Sequence, residues 1–426
     1  MRVGILGCGN VGAALVGAIA EDGALIARRT GVGLEVVRVA VRDTGRARDV
    51  SLAAGVLTDD AAAVVGDPGV DIVVEVIGGL VPARELVLAA LAAGKPVITA
   101  NKELLARHGA ELFAAAADAG VDLLFEAAVA GGIPLMRPLR ESLVGERIHR
   151  VMGIVNGTTN YVLTRMSEEG SDLAAAVAEA QALGYAEQDP TADVEGFDAA
   201  AKAAIIASIA FGVRVTADDV HREGITAITA DDIAAAADLG YVVKLLAVAE
   251  ERDGAVSARV HPAMVPVAHP LASVRGSFNA VFIEGRNVGQ LMFYGRGAGG
   301  GPTASAVLGD LIDAAKNLRA GARGATIGEL ATRPIAPVAD TASRFYVSLD
   351  VVDEPGALAA IAGVFGGHGV SIESMQQEGR GEGARLIFVT HVAREADLRA
   401  TITEIGGLGV VVRVVSVLRV VGGEDE

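Results

Sequence analysis

Short, unbroken apolar runs alternate with longer amphipathic stretches through the first 130 residues of the chain. Residues 2–6 read as a strand, and a glycine-rich turn leads from it into a helix over 11–20. Strands follow at 34–41 and 70–77, the second entered from Asp67-Pro68-Gly69, and then a helix over 84–93 ended by Gly94. A strand at 97–99, a helix at 106–119 and a strand at 121–126 complete the series. Strands rich in Val, Ile and Leu without polar alternation suit a sheet buried on both faces. Their alternation with helices predicts an α/β unit on a doubly wound parallel sheet.

Past residue 133 the rhythm changes. A helix is predicted from Ile133-Pro134 to Leu143, a strand over 147–155, and helices over 161–167, 173–183 and 198–211. Residues 240–294 read as several strands with turns at Asp253-Gly254 and His261-Pro262, and 303–318 as a helix. This is a mixed α+β unit. Residues 333–343, with Pro334 and Pro337, have linker character. From 345 onward the order is strand 345–351, helix 357–368, strand 370–376, a loop of glycine and charge, strand 385–392, helix 396–405 and strand 410–420. That is βαββαβ, the ferredoxin-like unit. The predicted division is 1–133, 134–332, a linker at 333–343, and 344–421, with the 303–320 helix free to pack back on the first unit.

Composition narrows the function classes. The net charge of −17 would repel a phosphate backbone, basic residues form no stripe, and aromatics make up only 4%, which excludes a nucleic-acid partner. Cys8 is the only cysteine, so neither an intrachain disulfide nor a cysteine-based zinc site can form. A reducing cytoplasm is the simplest compartment. Residues 3–20 follow an arginine and end in Gly17-Ala18-Ile19-Ala20, imitating a secretory leader. Asn10 and the spacing of the glycines argue for a folded element instead. The run at 410–421 is broken by Arg413 and Arg419, so no segment reads as a membrane span.

Gly7-Cys8-Gly9-Asn10-Val11-Gly12 is a G-x-G-x-x-G placed between the first strand and the first helix, the context that gives the motif its meaning. Gly7 permits a tight turn, Gly9 lets the backbone approach a pyrophosphate, and Gly12 lets helix and strand pack closely. The free N–H groups of Asn10, Val11 and Gly12 at the helix start would receive the phosphates. The second strand ends Val41-Arg42-Asp43, with Arg46 and Arg48 nearby. An arginine there suits the 2′-phosphate of NADP(H), whereas Asp43 leaves NAD(H) open. Ile77-Gly78 and Thr99-Ala100-Asn101-Lys102 end the third and fourth strands, where such sheets hold their ligands.

Beyond the fingerprint the chain resembles a known family. The segments 99–102, Glu126 with 127–134, Asn156-Gly157-Thr158-Thr159-Asn160, the long run 184–202, and 297–304 (including Gly301, beside the cofactor) are similar to homoserine dehydrogenase, in order along essentially the whole chain. The resemblance implies hydride transfer between a nicotinamide and C4 of aspartate-4-semialdehyde or homoserine, in threonine, methionine and isoleucine biosynthesis. It implies Lys202, Asp198 and Lys102 as catalytic residues. Asp198 and Lys202 are four apart on a predicted helix and share a face. The apolar run 203–207 marks that helix as buried, which favours a working pair over a surface salt bridge. A lysine can donate a proton to the aldehyde oxygen and offset its charge; which of the two does so is open. Glu187 and Asp193 match positions that grip the substrate amino group, and Gly157 and Thr158 suit its carboxylate. Asp189 before Pro190 reads as a turn residue. The resemblance also implies a monovalent cation such as sodium at positions matching Glu126, Val129, Gly131 and Ile133, with oxygen ligands suited to a hard cation. An empty turn is the alternative there.

Residues 345–420 resemble an ACT domain, with Asp350 to Leu358 as its signature turn and 366–372 as a second matching segment. The resemblance implies an amino-acid effector, threonine, and a homodimer or homotetramer; a dimerisation module without ligand is the alternative. Two other readings stay open: another ACT-bearing dehydrogenase such as phosphoglycerate dehydrogenase, disfavoured because the fingerprint begins at residue 7, and a non-catalytic amino-acid-binding regulator, disfavoured by the presence of both lysines and Asp198.

Overall fold

The computed structural model describes residues 1–379 and 384–422; the predicted loop of glycine and charge falls largely on 380–383, outside the described residues. Six strands, β1 (Arg2–Leu6), β2 (Glu35–Ala40), β3 (Leu57–Thr58), β4 (Ile72–Glu75), β5 (Val97–Thr99) and β6 (Leu123–Leu124), form one parallel sheet in the order β3-β2-β1-β4-β5-β6. Helices α1 (Asn10–Thr30), α2 (Ala61–Gly66), α3 (Ala83–Ala92) and α4 (Lys102–Ala119) connect the strands. The chain reverses direction across the sheet between β1 and β4, and the crevice beyond their carboxyl ends is where such folds take ligands. Helix α1 does not stop at 20. Glu21 and Asp22 fall on its exposed side while Leu15, Val16, Ile19 and Ile26 stay buried, and it ends at Gly31 in left-handed backbone (φ 73).

The second body begins with α5 (Met136–Arg140), β7 (Ile148–Ile154), α6 (Gly157–Glu169), α7 (Leu173–Ala182), α8 (Thr191–Val194) and α9 (Phe197–Phe211). It continues with β8 (His221–Arg222), α10 (Ala230–Asp238), β9 (Tyr241–Arg252), β10 (Ala255–Pro266), β11 (Phe278–Gly285) and β12 (Gly289–Arg296). Strands β12-β11-β7-β9-β10 are antiparallel neighbours, and α6, α9 and α10 pack on them. Helix α11 (Gly300–Arg319) then returns to the first body, where Ala304, Val307, Leu311, Ala314 and Ala315 join Leu15, Val16 and Ile19 in one core. By length and composition α1 could cross a membrane; here its apolar face is covered by α11 and the sheet.

The C-terminal unit is β13 (Ala342–Val351), α12 (Ala357–Gly367), β14 (Ile372–Glu378), β15 (Ala384–Thr390), the short β16 (Ala393–Arg394), α13 (Glu395–Ile405) and β17 (Val411–Val420). Its sheet, β17-β13-β15-β14, is not separate. Strand β17 pairs in parallel with β10 through Ala263–Arg419 and Met264–Val420, making a single 11-stranded sheet.

Two predicted features are corrected. His261-Pro262 is not a turn but lies inside β10, Pro262 opposite Leu245. Proline is tolerated there because, among the described residues, the other edge of β10 is paired only at Val256, by a bridge to Ile335, at Arg259–Val260, with β8, and at Ala263–Met264, with β17. No ladder bond is missed at 262. The helix predicted from 133–134 to 143 covers only Met136–Arg140, closed by a wide turn in which Leu143 N–H donates to the Pro138 carbonyl.

Candidate active site

The glycine turn after β1 is built by steric necessity. Gly7 has φ +104, and a Cβ there would stand 2.7 Å from the Val76 carbonyl oxygen. A Cβ on Gly12 would stand 2.2 Å from the Gly7 carbonyl oxygen, whereas one on Gly9 would meet nothing within 4 Å. Gly9 therefore faces open space at the start of α1. No side chain caps α1, nor α11, whose first residue Gly300 lies against the Asn10 carbonyl. Two helix starts thus meet with free N–H groups, and Gly301 is likewise open. Arg42 stands exposed beyond β2, while Asp43 accepts the Gly45 N–H with its own carboxylate.

A cleft of about 290 Å³ runs from this turn to the second body, lined by Val11, Ile77, Gly78, Ala100, Lys102 and Lys202 among others. Its Ile77–Gly79 wall is shaped from behind by Glu75, which is fully buried. Glu75 accepts from the Ile77 and Gly78 amides at 2.9 and 3.1 Å and from the Thr99 hydroxyl at 2.6 Å. Burial raises its pKa against these hydrogen bonds. The side chain of Thr99 is thus committed to Glu75, leaving only its backbone to face a ligand. Asn101 caps α4 through the Leu104 amide and donates to the Gly79 carbonyl. Lys102 is therefore the first residue of α4, its position set by that cap.

Across the cleft, Asp198 and Lys202 lie one turn apart on α9, which is buried along most of its length. Asp198 takes Lys202 Nζ at 2.6 Å on one oxygen and Lys102 Nζ at 2.7 Å on the other. Lys202 also donates to the Val155 carbonyl at 2.7 Å. Burial opposes ionisation of Asp198, but the two ammonium groups outweigh it and hold the carboxyl well below the ordinary range. Burial likewise opposes the charge on Lys102, and Asp198 more than offsets it, so its pKa is raised. Asn156 completes the group. Its oxygen caps α6, and its amide donates to Asp193 at 2.6 Å and to Asp198 at 2.9 Å.

The structure brings Lys102, Asp193, Asp198 and Lys202 together and sets Gly157 and Thr158 at the start of α6 beside them. Thr158 is committed elsewhere, its hydroxyl donating to the Tyr185 carbonyl at 2.6 Å. Glu187 is exposed, and Asp189 accepts the Thr191 N–H, as a turn residue does. Glu126 lies apart from the ion pairs. It is buried, and its carboxylate accepts from the amides of Leu135, Met136 and Arg137. Val129, Gly131 and Ile133 lie in the same loop, kinked by left-handed Ala130 (φ 57) and Gly131 (φ 51). No cluster of three or more His, Cys, Asp or Glu that could hold a metal occurs among the described residues. Glu75 escaped the sequence reading, although an acid following the apolar run Ile72–Val74 is a visible signal, and Asn156 was named only as part of a matching segment, with no role given to its side chain.

Three family models match in succession: "Homoserine dehydrogenase, NAD binding domain" over residues 7–126, "Homoserine dehydrogenase" over 134–312, and "ACT domain" over 345–410. The homoserine dehydrogenase of Corynebacterium glutamicum is 53% identical over 422 residues, covering 98% of this chain and 95% of that protein. The crystal structure of the Thiobacillus denitrificans homoserine dehydrogenase superposes with a TM-score of 0.93 at 42% identity, covering 99% of this chain and 98% of that one. A hyperthermophilic archaeal homoserine dehydrogenase solved with NADPH has a TM-score of 0.62 at 32% identity, covering 74% and 97%. Both halves of the cleft, the nucleotide turn and the paired lysines, fall within models of one activity, and the likeness runs the length of the molecule: the chain belongs to the homoserine dehydrogenase family.

Proposed function

We propose that the chain interconverts L-homoserine and L-aspartate-4-semialdehyde, with Asp198 holding Lys202 and Lys102 at the reacting oxygen. The observation that carries this reading is one buried carboxylate binding two lysines from opposite walls of the cleft. A bound nicotinamide supplies or accepts the hydride at C4 of the substrate. The cradle fits such a group: Gly9 opens onto free space, and two uncapped helix starts offer N–H donors for its phosphates. Lys202 commits two of its three hydrogens, to Val155 and Asp198, and keeps one for the substrate oxygen. Lys102 is more exposed to the cleft. In the reducing direction an ammonium gives the oxygen its proton; in the oxidising direction the amine takes it back. Asp193 and Glu187 receive the substrate amino group. With Thr158 committed to Tyr185, the carboxylate falls to the backbone amides of Gly157 and Thr158.

NADP(H) is the preferred cofactor in this reading, through Arg42, and the NADPH-bound archaeal relative supports it. Because the Glu126 carboxylate is taken by three amides, a sodium ion would rest on the carbonyls of Val129, Gly131 and Ile133. Threonine is the proposed effector of the C-terminal domain, the protein a cytoplasmic homodimer or homotetramer, and the division of the chain 1–133, 134–332, 333–343 and 344–421. Homoserine oxidation at alkaline pH, followed by nicotinamide absorbance with NADP and NAD, with and without threonine, tests the reading. Turnover should be faster with NADP, and Lys202→Ala should lower it about a hundredfold or more. No turnover of homoserine with either cofactor would end it.

A further inference from the structure

Arg419, near the end of β17, has a side chain only 7% exposed and is shared between two carboxylates. It donates to both oxygens of Glu223, at 2.7 and 2.8 Å, and to both of Glu395, at 3.0 and 2.7 Å. An arginine held by two bidentate acids is fixed in direction as well as in place. Glu395 opens α13 of the same C-terminal unit. Glu223 belongs to the central body, directly after β8, and also meets His221 Nε2 at 2.8 Å. Burial opposes its ionisation, but His221 and Arg419 overcome this and hold the carboxyl well below its ordinary range.

The segment 222–225 that carries Glu223 is pressed against the turn ahead of α9. Arg222 donates to the Glu195 carbonyl at 2.5 Å, and its guanidinium carbon lies 3.4 Å from the Phe197 ring centroid. Ile225 N–H donates to the Val194 carbonyl at 2.8 Å. Gly224 approaches the same carbonyl so closely that a Cβ would stand 2.2 Å from its oxygen. Glu223 N–H is in turn tied to the Val260 carbonyl of β10 at 2.8 Å. The turn held in this way begins with Asp193 and ends with Asp198, the two acids bridged by Asn156.

We infer that Arg419 and Glu223 are positioning residues through which the C-terminal domain sets the turn bearing Asp193 and Asp198. The inference rests on the roles proposed above for those two acids. Close-packed contacts and short hydrogen bonds leave no slack between β17 and residues 194–197, so a shift of the strand is passed on rather than absorbed. The glycine turn lies on the other wall of the cleft and takes no part in this chain of contacts.

The test uses the full-length protein carrying Glu223→Gln, Glu223→Ala, Arg419→Gln, and the double change Glu223→Ala with Arg419→Gln. KM for homoserine should rise about tenfold in Glu223→Ala and less in Glu223→Gln, with kcat and the cofactor KM within about twofold of wild type. The double variant should be no worse than the weaker single variant, as expected for one shared contact. Backbone hydrogen exchange over 191–199, measured without substrate, should quicken in Glu223→Gln and Arg419→Gln while exchange over residues 7–12 stays unchanged. If Glu223→Ala fails to fold, Glu223→Gln carries the test. An unchanged homoserine KM with unchanged exchange at 191–199 overturns the inference, as do effects that multiply in the double variant or an equal rise in cofactor KM. The exchange arm needs no turnover, so an inactive wild type would sink the activity reading without being mistaken for failure of this one.

Discussion

Replacing Asp198 by asparagine keeps the shape of the site and removes the charge that joins its two walls. The carboxylate lies 2.6 Å from Lys202 Nζ and 2.7 Å from Lys102 Nζ. At an effective dielectric constant of about 20, unit charges this close attract by about 6 kcal/mol. The figure is gross: desolvation of the buried partners offsets much of it, and solvent screens the partly exposed Lys102. Removing one partner of a buried pair costs about 3–5 kcal/mol net, and the retained amide oxygen places Asp198→Asn at the lower end. Much of that loss falls on the placement of the two ammonium groups, so about 3 kcal/mol becomes a fall in kcat/KM of about a hundredfold. The effect on stability has a definite sign. The native carboxyl titrates below its unfolded value of 3.8, so its contribution is complete above that pH and is lost as pH falls further. The assay is kcat/KM for homoserine from pH 7 to 10, with unfolding at pH 7 and near pH 3. A variant within tenfold of wild type across the pH range and equally stable at pH 7 would refute the reasoning.

Asn156→Asp sets a third acid between Asp193 and Asp198 and should raise the homoserine KM at least tenfold while leaving the cofactor KM near wild type; an unchanged homoserine KM speaks against the bridge. Gly9→Ala should fold normally, because its Cβ meets nothing within 4 Å, yet weaken cofactor binding about tenfold or more, whereas Gly12→Ala, with its Cβ 2.2 Å from the Gly7 carbonyl, should fail to fold stably. Equal melting temperatures for the two would contradict this assignment of space. Burial, with Glu126 close by, raises the Asp310 carboxyl from 3.8 to about 7 against the Glu126 amide and Arg137. The native state thus keeps a proton that the unfolded state releases, and wild-type stability should decline as pH rises from 4 to 7, by up to about 4 kcal/mol relative to Asp310→Asn. Parallel stability curves for the two proteins from pH 4 to 8 would remove Asp310 from the balance.

What was legible in the sequence was local. The glycine turn could be read because each glycine answers a steric demand within a few residues of itself, and the Asp198–Lys202 pair because four residues span one helical turn. What was not legible depends on partners far along the chain. Nothing near Lys102 announces that its ammonium meets Asp198, and nothing near Thr158 announces the Tyr185 carbonyl. Strand β3 and helix α2 are too short to leave a periodicity. Proline beside histidine signals a turn unless, as at 262, the neighbouring edge happens to be unpaired there. Arg419 was read as a charge interrupting an apolar run; it instead makes four hydrogen bonds beside the β10–β17 junction of the continuous sheet, and that junction, two residue pairs long, has no sequence signature.

The return of α11 to α1 bears on how the protein is made. The apolar side of α1 is synthesised among the first thirty residues, but Val307, Leu311 and Ala314, which cover it, come after the whole central body. A chain leaving the ribosome can seat α1 on its own sheet, but the side of this apolar helix that α11 covers stays open throughout most of translation, and the core of the nucleotide fold is not complete before α11 is free. Vectorial completion of domains from the N-terminus is denied to this topology. The first body is finished after the second, and ribosome-bound fragments ending before residue 300 should need a chaperone that shields greasy surface.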